Sequence, residues 1–397
     1  MAQKRHDPFR HAYHRNASQF FYFNRTRMTE SSGRIALLGT GLIGGSLGLV
    51  WSERCPDWTL VGLDRPDVLN RAHDRGAIEQ RAADPKTLVE DADIVVIATP
   101  LGTSLQMLEQ IAPHVKEGVI VTDVASVKSP VMEQAAEVLP DRAHFVGGHP
   151  MAGAETSGID AADALLFENA IYALCLAEKD DATVLEGALS PLVDLVEATG
   201  ARPLLLEADH HDRIAAWVSH LPQLLAVSLM NVVDDLDDAT TRQLAAGGFR
   251  DMTRIASSPF SMWRDILIGN QGPILDALGA MSRSLQNVRN RLIEDDIEAL
   301  DNTFEQAMKA REGIPSNQKG FLQPLHDVLV RAKDQPGELH AITGMLLDAG
   351  LNVRDVELLK FREGTGGTFR LGFGSADEAH AACDALNEND VRARPLQ

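Results

Sequence analysis

The chain is 397 residues long, 44% hydrophobic and 24% charged, with a net charge of −20 at pH 7. That length suits two or three domains, each with a sizeable core, and no run of about eighteen uncharged apolar residues marks a membrane span. The acidity argues against a nucleic-acid partner, because phosphate binding needs a basic face, and it requires a local cluster of Arg or Lys if the substrate is an anion.

Residues 1–30 carry six Lys or Arg against two acids and have no apolar core of a secretory signal. They read either as a loose tail, with Met28 as the true start, or as a targeting segment. From residue 34 the pattern becomes strand, glycine turn, helix, strand. "RIALL" opens it, and "DWTLVGLD", "ADIVVIATP" (92–100), "GVIVTDVAS" (118–126), "HFVGGHP" (144–150) and "AIYALCLAE" (170–178) follow, with helical patterns between several of them. Strands alternating with helices predict a parallel sheet covered on both faces, a doubly wound α/β domain over 31–178.

Over 179–321 strand signals fade and amphipathic helices take over, with apolar residues three and four apart. Pro222 lies inside one of them and predicts a kink. Apolar stripes in such number are read as partly buried against a partner. Over 322–397 the pattern returns to strand, Pro-Gly turn, helix, strand, strand, helix, strand, a compact βαββαβ unit. The three cysteines, Cys55, Cys175 and Cys383, are far apart with no CxxC spacing, so neither a disulfide framework nor a metal site is expected. That fits a reducing cytoplasm.

"GTGLIGGS" (39–46) places Gly39, Gly41 and Gly44 in GxGxxG spacing between a strand and a helix. Glycine alone lets the backbone turn tightly and approach a pyrophosphate, which then sits on free N–H groups at the positive end of the helix. Asp64 ends the second strand, where a carboxylate binds a ribose diol and repels a 2′-phosphate, so NAD is expected as cofactor. Arg65 beside it pulls toward NADP.

Ligands of such sheets bind beyond the carboxyl ends of the strands. Ser126 and His149 both fall at such ends, in "DVASVK" (123–128) and "GGHPMAGAE" (147–155). An imidazole at the nicotinamide edge is placed to take a proton from an alcohol as hydride leaves. The glycines before it are read as room for cofactor and substrate. Ser126 either orients the imidazole or bonds the same hydroxyl, and Ser129, before Pro130, is the better helix cap.

These motifs, with "HDRIAAWVSHLP" (211–222) and "GGFRDMTRIASSPFSMW" (247–263), resemble the prephenate dehydrogenase family and its arogenate and cyclohexadienyl relatives, from residue 33 nearly to the end. The resemblance implies NAD-dependent oxidation of the C4 alcohol of prephenate with loss of the ring carboxylate as carbon dioxide, giving 4-hydroxyphenylpyruvate. It implies that His149 bonds the substrate hydroxyl, that Ser126 supports it, and that His220 shares the pocket. Arg254 would grip a substrate carboxylate, with Arg250, Asp251 and Glu155 near the mouth.

Leu42, Ile43, Thr99 and Pro100 would line the cofactor site with the glycines. The helical segment would form a homodimer in which Trp263 reaches the partner's site. The C-terminal segment looks like an ACT domain that binds L-tyrosine through Gly337, Glu338, Leu339 and Asn352. In the plainer alternative, Gly337 only completes a tight turn and Asn352 tolerates an unusual backbone angle. Arogenate as substrate stays open, and a non-enzymatic NAD-responsive sensor is disfavoured because Ser126, His149, His220 and Arg254 are all present.

Overall fold

The structure is a computed structural model that describes residues 32–153, 156–176, 187–313, 325–362 and 366–396. The readings made for residues 1–30 and for Glu155 lie outside the described residues. By internal packing the chain divides into two units, Met1–Asp295 and Asp296–Gln397.

The first unit is built on β1 (Gly33–Leu38), β2 (Trp58–Leu63), β3 (Gln80–Arg81), β4 (Ile94–Ile97), β5 (Ile120–Asp123), β6 (His144–Pro150), β7 (Ile171–Leu176) and β8 (Arg202–Leu205). Helices α1 (Leu42–Arg54), α2 (Pro66–Asp74), α3 (Pro85–Val89), α4 (Leu101–Ile111) and α5 (Ser129–Val138) connect the first six. Side-chain alternation sets the layers. In β1, Ile35 and Leu37 enter one apolar cluster while Ala36 and Leu38 enter another, and in β4 Ile94 and Val96 part from Val95 and Ile97 in the same way. Strands with both faces apolar are covered on both sides.

The strand order is β3-β2-β1-β4-β5-β6-β7-β8. The winding reverses between β1 and β4, so the loops after these strands part and leave a crevice at the carboxyl edge. Three features depart from the sequence expectation. First, β7 runs antiparallel to β6, because the connection between them holds no crossover helix in its described part, only a short 3₁₀ turn at Ile159–Ala161. Second, β8 joins the sheet parallel to β7, which carries the sheet past residue 178 to Leu205. Its Pro203 hid it, yet an edge strand tolerates the missing donor. Third, Ser129 is the first residue of α5 rather than its cap, and its hydroxyl donates to Asp209 at 3.1 Å.

Beyond the sheet, Ala208–Asp234 forms one helix of 27 residues. It is α-helical over Ala208–Ala215, widens to a π-turn over Ala216–His220 and resumes as α-helix over Leu221–Asp234. Pro222 has no N–H to offer the preceding turn, and the wide turn takes up the disruption just before it. The helix is long and apolar enough to cross a membrane. Its buried face, however, carries His211, Asp212, His220 and Gln223. Further helices span Gly247–Thr253, Phe260–Gly269 and Gln271–Ile293, and they leave Phe260, Ile268, Leu285 and Leu292 more than half exposed.

The second unit holds a helix (Ile297–Glu312) and then β9 (His326–Ala332), a helix (Glu338–Asp348), β10 (Asp355–Arg362), β11 (Gly366–Phe373), a helix (Ala376–Glu388) and β12 (Ala393–Pro395). This is the expected βαββαβ order, arranged as an antiparallel sheet β10-β11-β9-β12. Val328, Val330, Leu371 and Phe373 pack from the sheet against Ile342, Leu346, Ala382 and Leu386 of the helices.

Candidate active site

The crevice at the strand reversal is lined on one side by the glycine loop. Gly39 has a φ of +92°, and an added Cβ there would strike the backbone of Ala98. At Gly44 it would strike the carbonyl of Gly39, so both residues are glycine for close packing of the loop. At Gly41 an added Cβ meets nothing within 4 Å. The space above that residue is open, and α1 begins there with no side-chain cap and no acid in its first turn. Free N–H groups beside an open space are what a pyrophosphate needs.

Leu42 and Ile43 form the first turn of α1. Asp64 follows β2 and accepts the Thr40 N–H at 2.8 Å and the Arg65 N–H at 2.7 Å, while the Arg65 side chain is exposed. Thr99 and Pro100 close the other side, with the Thr99 hydroxyl 2.9 Å from that of Ser104 and Pro100 opening α4. The residues present therefore fit a dinucleotide.

His149 is the sixth residue of β6, only 9% exposed. Its Nδ1 lies 2.8 Å from Nε2 of His211, whose Nδ1 lies 2.8 Å from Oδ1 of Asp212. Asp212 also accepts the backbone N–H groups of Lys128 and Ser129 at 2.7 and 2.8 Å, so it caps α5 from a neighbouring helix. Burial works to raise its pKa, but the hydrogen bonds from His211 and these N–H groups prevail and hold the carboxyl below its usual range.

Beneath this chain the Lys128 ammonium is fully buried, paired with Asp123 and donating to the Gly148 carbonyl at 2.6 Å. The glycines before His149 serve this packing. A Cβ at Gly147 would meet Met132 and Lys128, and one at Gly148 would meet the Asp123 carbonyl. They make room for buried neighbours rather than for ligands, contrary to the sequence expectation.

His220 is 1% exposed. Its Nδ1 lies 3.1 Å from the amide nitrogen of Asn270, which also donates to the Asp212 carbonyl at 2.7 Å, and its ring meets Trp263 edge-on at 6.0 Å. On a regular helix of about 3.6 residues per turn, the nine residues from His211 to His220 make about two and a half turns and would put them on opposite faces. The π-turn changes that phase, and both are buried. Burial, chiefly, lowers the His220 pKa to about 4, with Asp212 opposing and His211 adding. Burial likewise drives that of His149 well below 6.5, aided by His211, Lys128 and His220. Two neutral imidazoles at one site can accept and donate single protons.

Ser126 is half-buried just after β5 and makes no hydrogen bond to the described residues. The side chain hydrogen-bonded to the His149 ring is His211 rather than Ser126. Arg254 lies exposed in a 3₁₀ turn (Arg254–Ser257) that Gln223, three residues past His220, pins through the Ile255 carbonyl at 3.1 Å. Arg250 and Asp251 are exposed on the preceding helix, with no hydrogen bond to either imidazole. Trp263 packs on His220 of its own chain. His211, Asp212, Asp123, Lys128 and Asn270 escaped the sequence reading. The available signal was the pairing of His211 and Asp212 with His220 on one apolar helix.

In the second unit Gly337 has a φ of +84° and open space at its missing Cβ. The Glu338 carboxylate closes the adjacent turn by accepting the Lys333 N–H at 2.9 Å and the Gln335 amide at 2.7 Å. Leu339 and Asn352 are exposed, and Gly350, not Asn352, takes the left-handed backbone.

The nucleotide-binding domain of prephenate dehydrogenase matches residues 47–204, and the dimerization domain of the same enzyme matches residues 207–306. Prephenate dehydrogenase of Bacillus subtilis (strain 168) is 36% identical over 359 residues, 89% of this chain and 96% of that protein. Prephenate dehydrogenase from Aquifex aeolicus, solved with hydroxyphenyl propionate and NAD+, superposes with a TM-score of 0.65 at 27% identity, covering 71% of this chain and 98% of that one. Synechocystis arogenate dehydrogenase superposes at 0.62 with 30% identity, over 70% of this chain and 99% of that one. With a glycine loop at the strand reversal, buried imidazoles at the carboxyl edge and both matched domains in order, the chain belongs to the prephenate dehydrogenase family.

Proposed function

We propose that this enzyme oxidises prephenate with NAD and releases the ring carboxylate as carbon dioxide, yielding 4-hydroxyphenylpyruvate. The observation that carries the reading is the neutral, buried His149 at the end of β6, on the same sheet edge as the glycine loop. When bound, NAD supplies the hydride acceptor. His149 holds the proton of the C4 hydroxyl at its Nε2, the ring nitrogen that His211 leaves free. His220, equally dry, offers a hydrogen bond to a substrate oxygen, and Ser126 bonds the same hydroxyl as His149. Loss of carbon dioxide makes the ring aromatic, which draws the oxidation forward.

The substrate is a dianion and the protein carries −20, so a fixed cation is required, and Arg254 supplies it, with Arg250 and Asp251 at the mouth. Asp64 favours NAD over NADP. The exposed apolar side chains of the helical segment fit a homodimer, and the βαββαβ unit fits a site for L-tyrosine near Gly337 and Asn352. The reaction would then commit its substrate to tyrosine synthesis in the cytoplasm. Following reduced-cofactor absorbance with prephenate and with arogenate tests the reading. Turnover of prephenate supports it, turnover of arogenate alone replaces the substrate, and turnover of neither overturns it.

A further inference from the structure

An imidazole that must take a proton and one that must give a hydrogen bond need opposite tautomers, and the environment of each ring has to set them. We propose that Asp212 and His211 on one side and Asn270 on the other are positioning residues, locking His149 with a bare Nε2 and His220 with a protonated Nε2. The proposal rests on the dehydrogenase reading for its purpose, but on geometry alone for its content.

The chain of assignments starts at Asp212, whose carboxylate can only accept. Two backbone N–H groups and Nδ1 of His211 converge on it, so His211 carries its proton on Nδ1. With a single proton, on Nδ1, His211 would face His149 with a bare Nε2, 2.8 Å from Nδ1 of that ring. The proton between them belongs to His149 Nδ1, and His149 Nε2 is left as a lone pair.

Asn270 is fixed just as firmly. Its nitrogen donates to the Asp212 backbone carbonyl, which cannot donate in return, so the amide has one orientation. The second amide hydrogen reaches His220 Nδ1. That nitrogen accepts, and the His220 proton sits on Nε2. The Nε2 atoms of His149 and His220 make no hydrogen bond to the described residues. One carries a lone pair and the other a proton.

Asp212 thus serves both rings, through its side chain for one and its backbone carbonyl for the other. The charged and titratable groups facing His149 are His211 and Asp212 from their helix, Lys128 from the start of α5 with its partner Asp123 from β5, and His220 from the π-turn. Lys128 and Asp123 pair with each other rather than with the ring, which leaves the hydrogen-bond chain to decide the tautomer.

Nitrogen-15 spectra of histidine-labelled enzyme at pH 7.5, assigned with His149→Asn, His211→Gln and His220→Asn, read the tautomers without substrate or turnover. The expected result is Nδ1–H at His149 and Nε2–H at His220. Nε2–H at His149, an imidazolium at His211, or Nδ1–H at His220 overturns the proposal. Asn270→Asp replaces the donor with an acceptor and should switch His220 to Nδ1–H, and an unchanged signal also counts against the lock.

In turnover, His211→Leu should lower kcat by about 10- to 100-fold with NAD affinity retained, as expected for loss of a residue that orients a base. His211→Gln, whose side-chain oxygen still accepts from Nδ1–H, should recover part of the loss. Equal losses in two folded variants would reduce His211 to packing. If the expected tautomers are seen in a protein that turns over neither prephenate nor arogenate, the functional reading fails and the lock stands.

Discussion

Asp64 holds the backbone N–H of Thr40 at 2.8 Å and also accepts its hydroxyl at 3.3 Å, tying the end of β2 to the second residue of the glycine loop. The same carboxylate thus shapes the loop and, in the proposed function, presents charge to a ribose. Asp64→Ser should narrow the preference for NAD over NADP and also weaken NAD binding by about 1–2 kcal/mol through the lost loop contact. Dissociation constants for both cofactors check this. A wild-type preference for NADP would show that Arg65 dominates.

His149→Asn keeps a polar side chain that cannot take a proton. Its kcat should fall by about 10²- to 10⁴-fold, with the NAD dissociation constant nearly unchanged. Steady-state kinetics with a parallel binding titration would remove His149 from the chemistry if turnover stayed within a few-fold.

The pH dependence has a defined sign. Both imidazoles are held neutral, with folded pKa values below the ordinary 6.5, His220 at about 4. Activity that needs a neutral base should therefore stay level as pH falls through 6.5 and decline only at more acid pH. For stability, the unfolded chain takes up protons first as pH drops. The His220 contribution is intact above about 6.5, is lost as pH falls toward about 4, and changes no further below. Melting temperatures between pH 7.5 and 4 should drop less steeply for His220→Asn than for wild type.

Arg254→Ala should act mainly on KM for the substrate, by an amount on the order of 2–3 kcal/mol, as for a charge-assisted bond to a carboxylate. Raising salt should weaken wild-type substrate binding more than that of the variant. An unchanged KM would place the required cation elsewhere, with Arg250 the next candidate.

L-Tyrosine should inhibit the intact enzyme, and a version ending near Phe321 should remain active without that sensitivity. Because coupling between sites is reciprocal, prephenate should also weaken tyrosine binding. Equal inhibition of both forms would mean that tyrosine competes at the active site alone.

The strands and the cofactor loop were legible because their signals are local. Ile35 to Leu38 declare a buried strand, and Gly39, Gly41 and Gly44 with Asp64 declare the loop. β8 was not, since four residues containing Pro203 carry no periodicity, and the reversal of β7 depends on what its connection lacks. The polar chain from Lys128 through Asp212 to Asn270 joins residues 58 to 142 positions apart, and no spacing rule connects them. The π-turn was legible only as a disturbance near Pro222. That it would bury His211 and His220 together is a property of helical phase, which composition does not encode.

That wide turn has a cost in regularity. A helix with one residue too many forgoes well-aligned backbone bonds, and winding the same five residues as ordinary α-helix would restore them. The repaired helix would be the better helix and the poorer enzyme, since His220 would swing away from Asn270 and Trp263 by about a quarter of a turn or more. Selection for thermal robustness and selection for turnover therefore pull in opposite directions on these five residues. A surplus residue in the middle of a long helix is, in this chain, the instrument that keeps two imidazoles in one pocket.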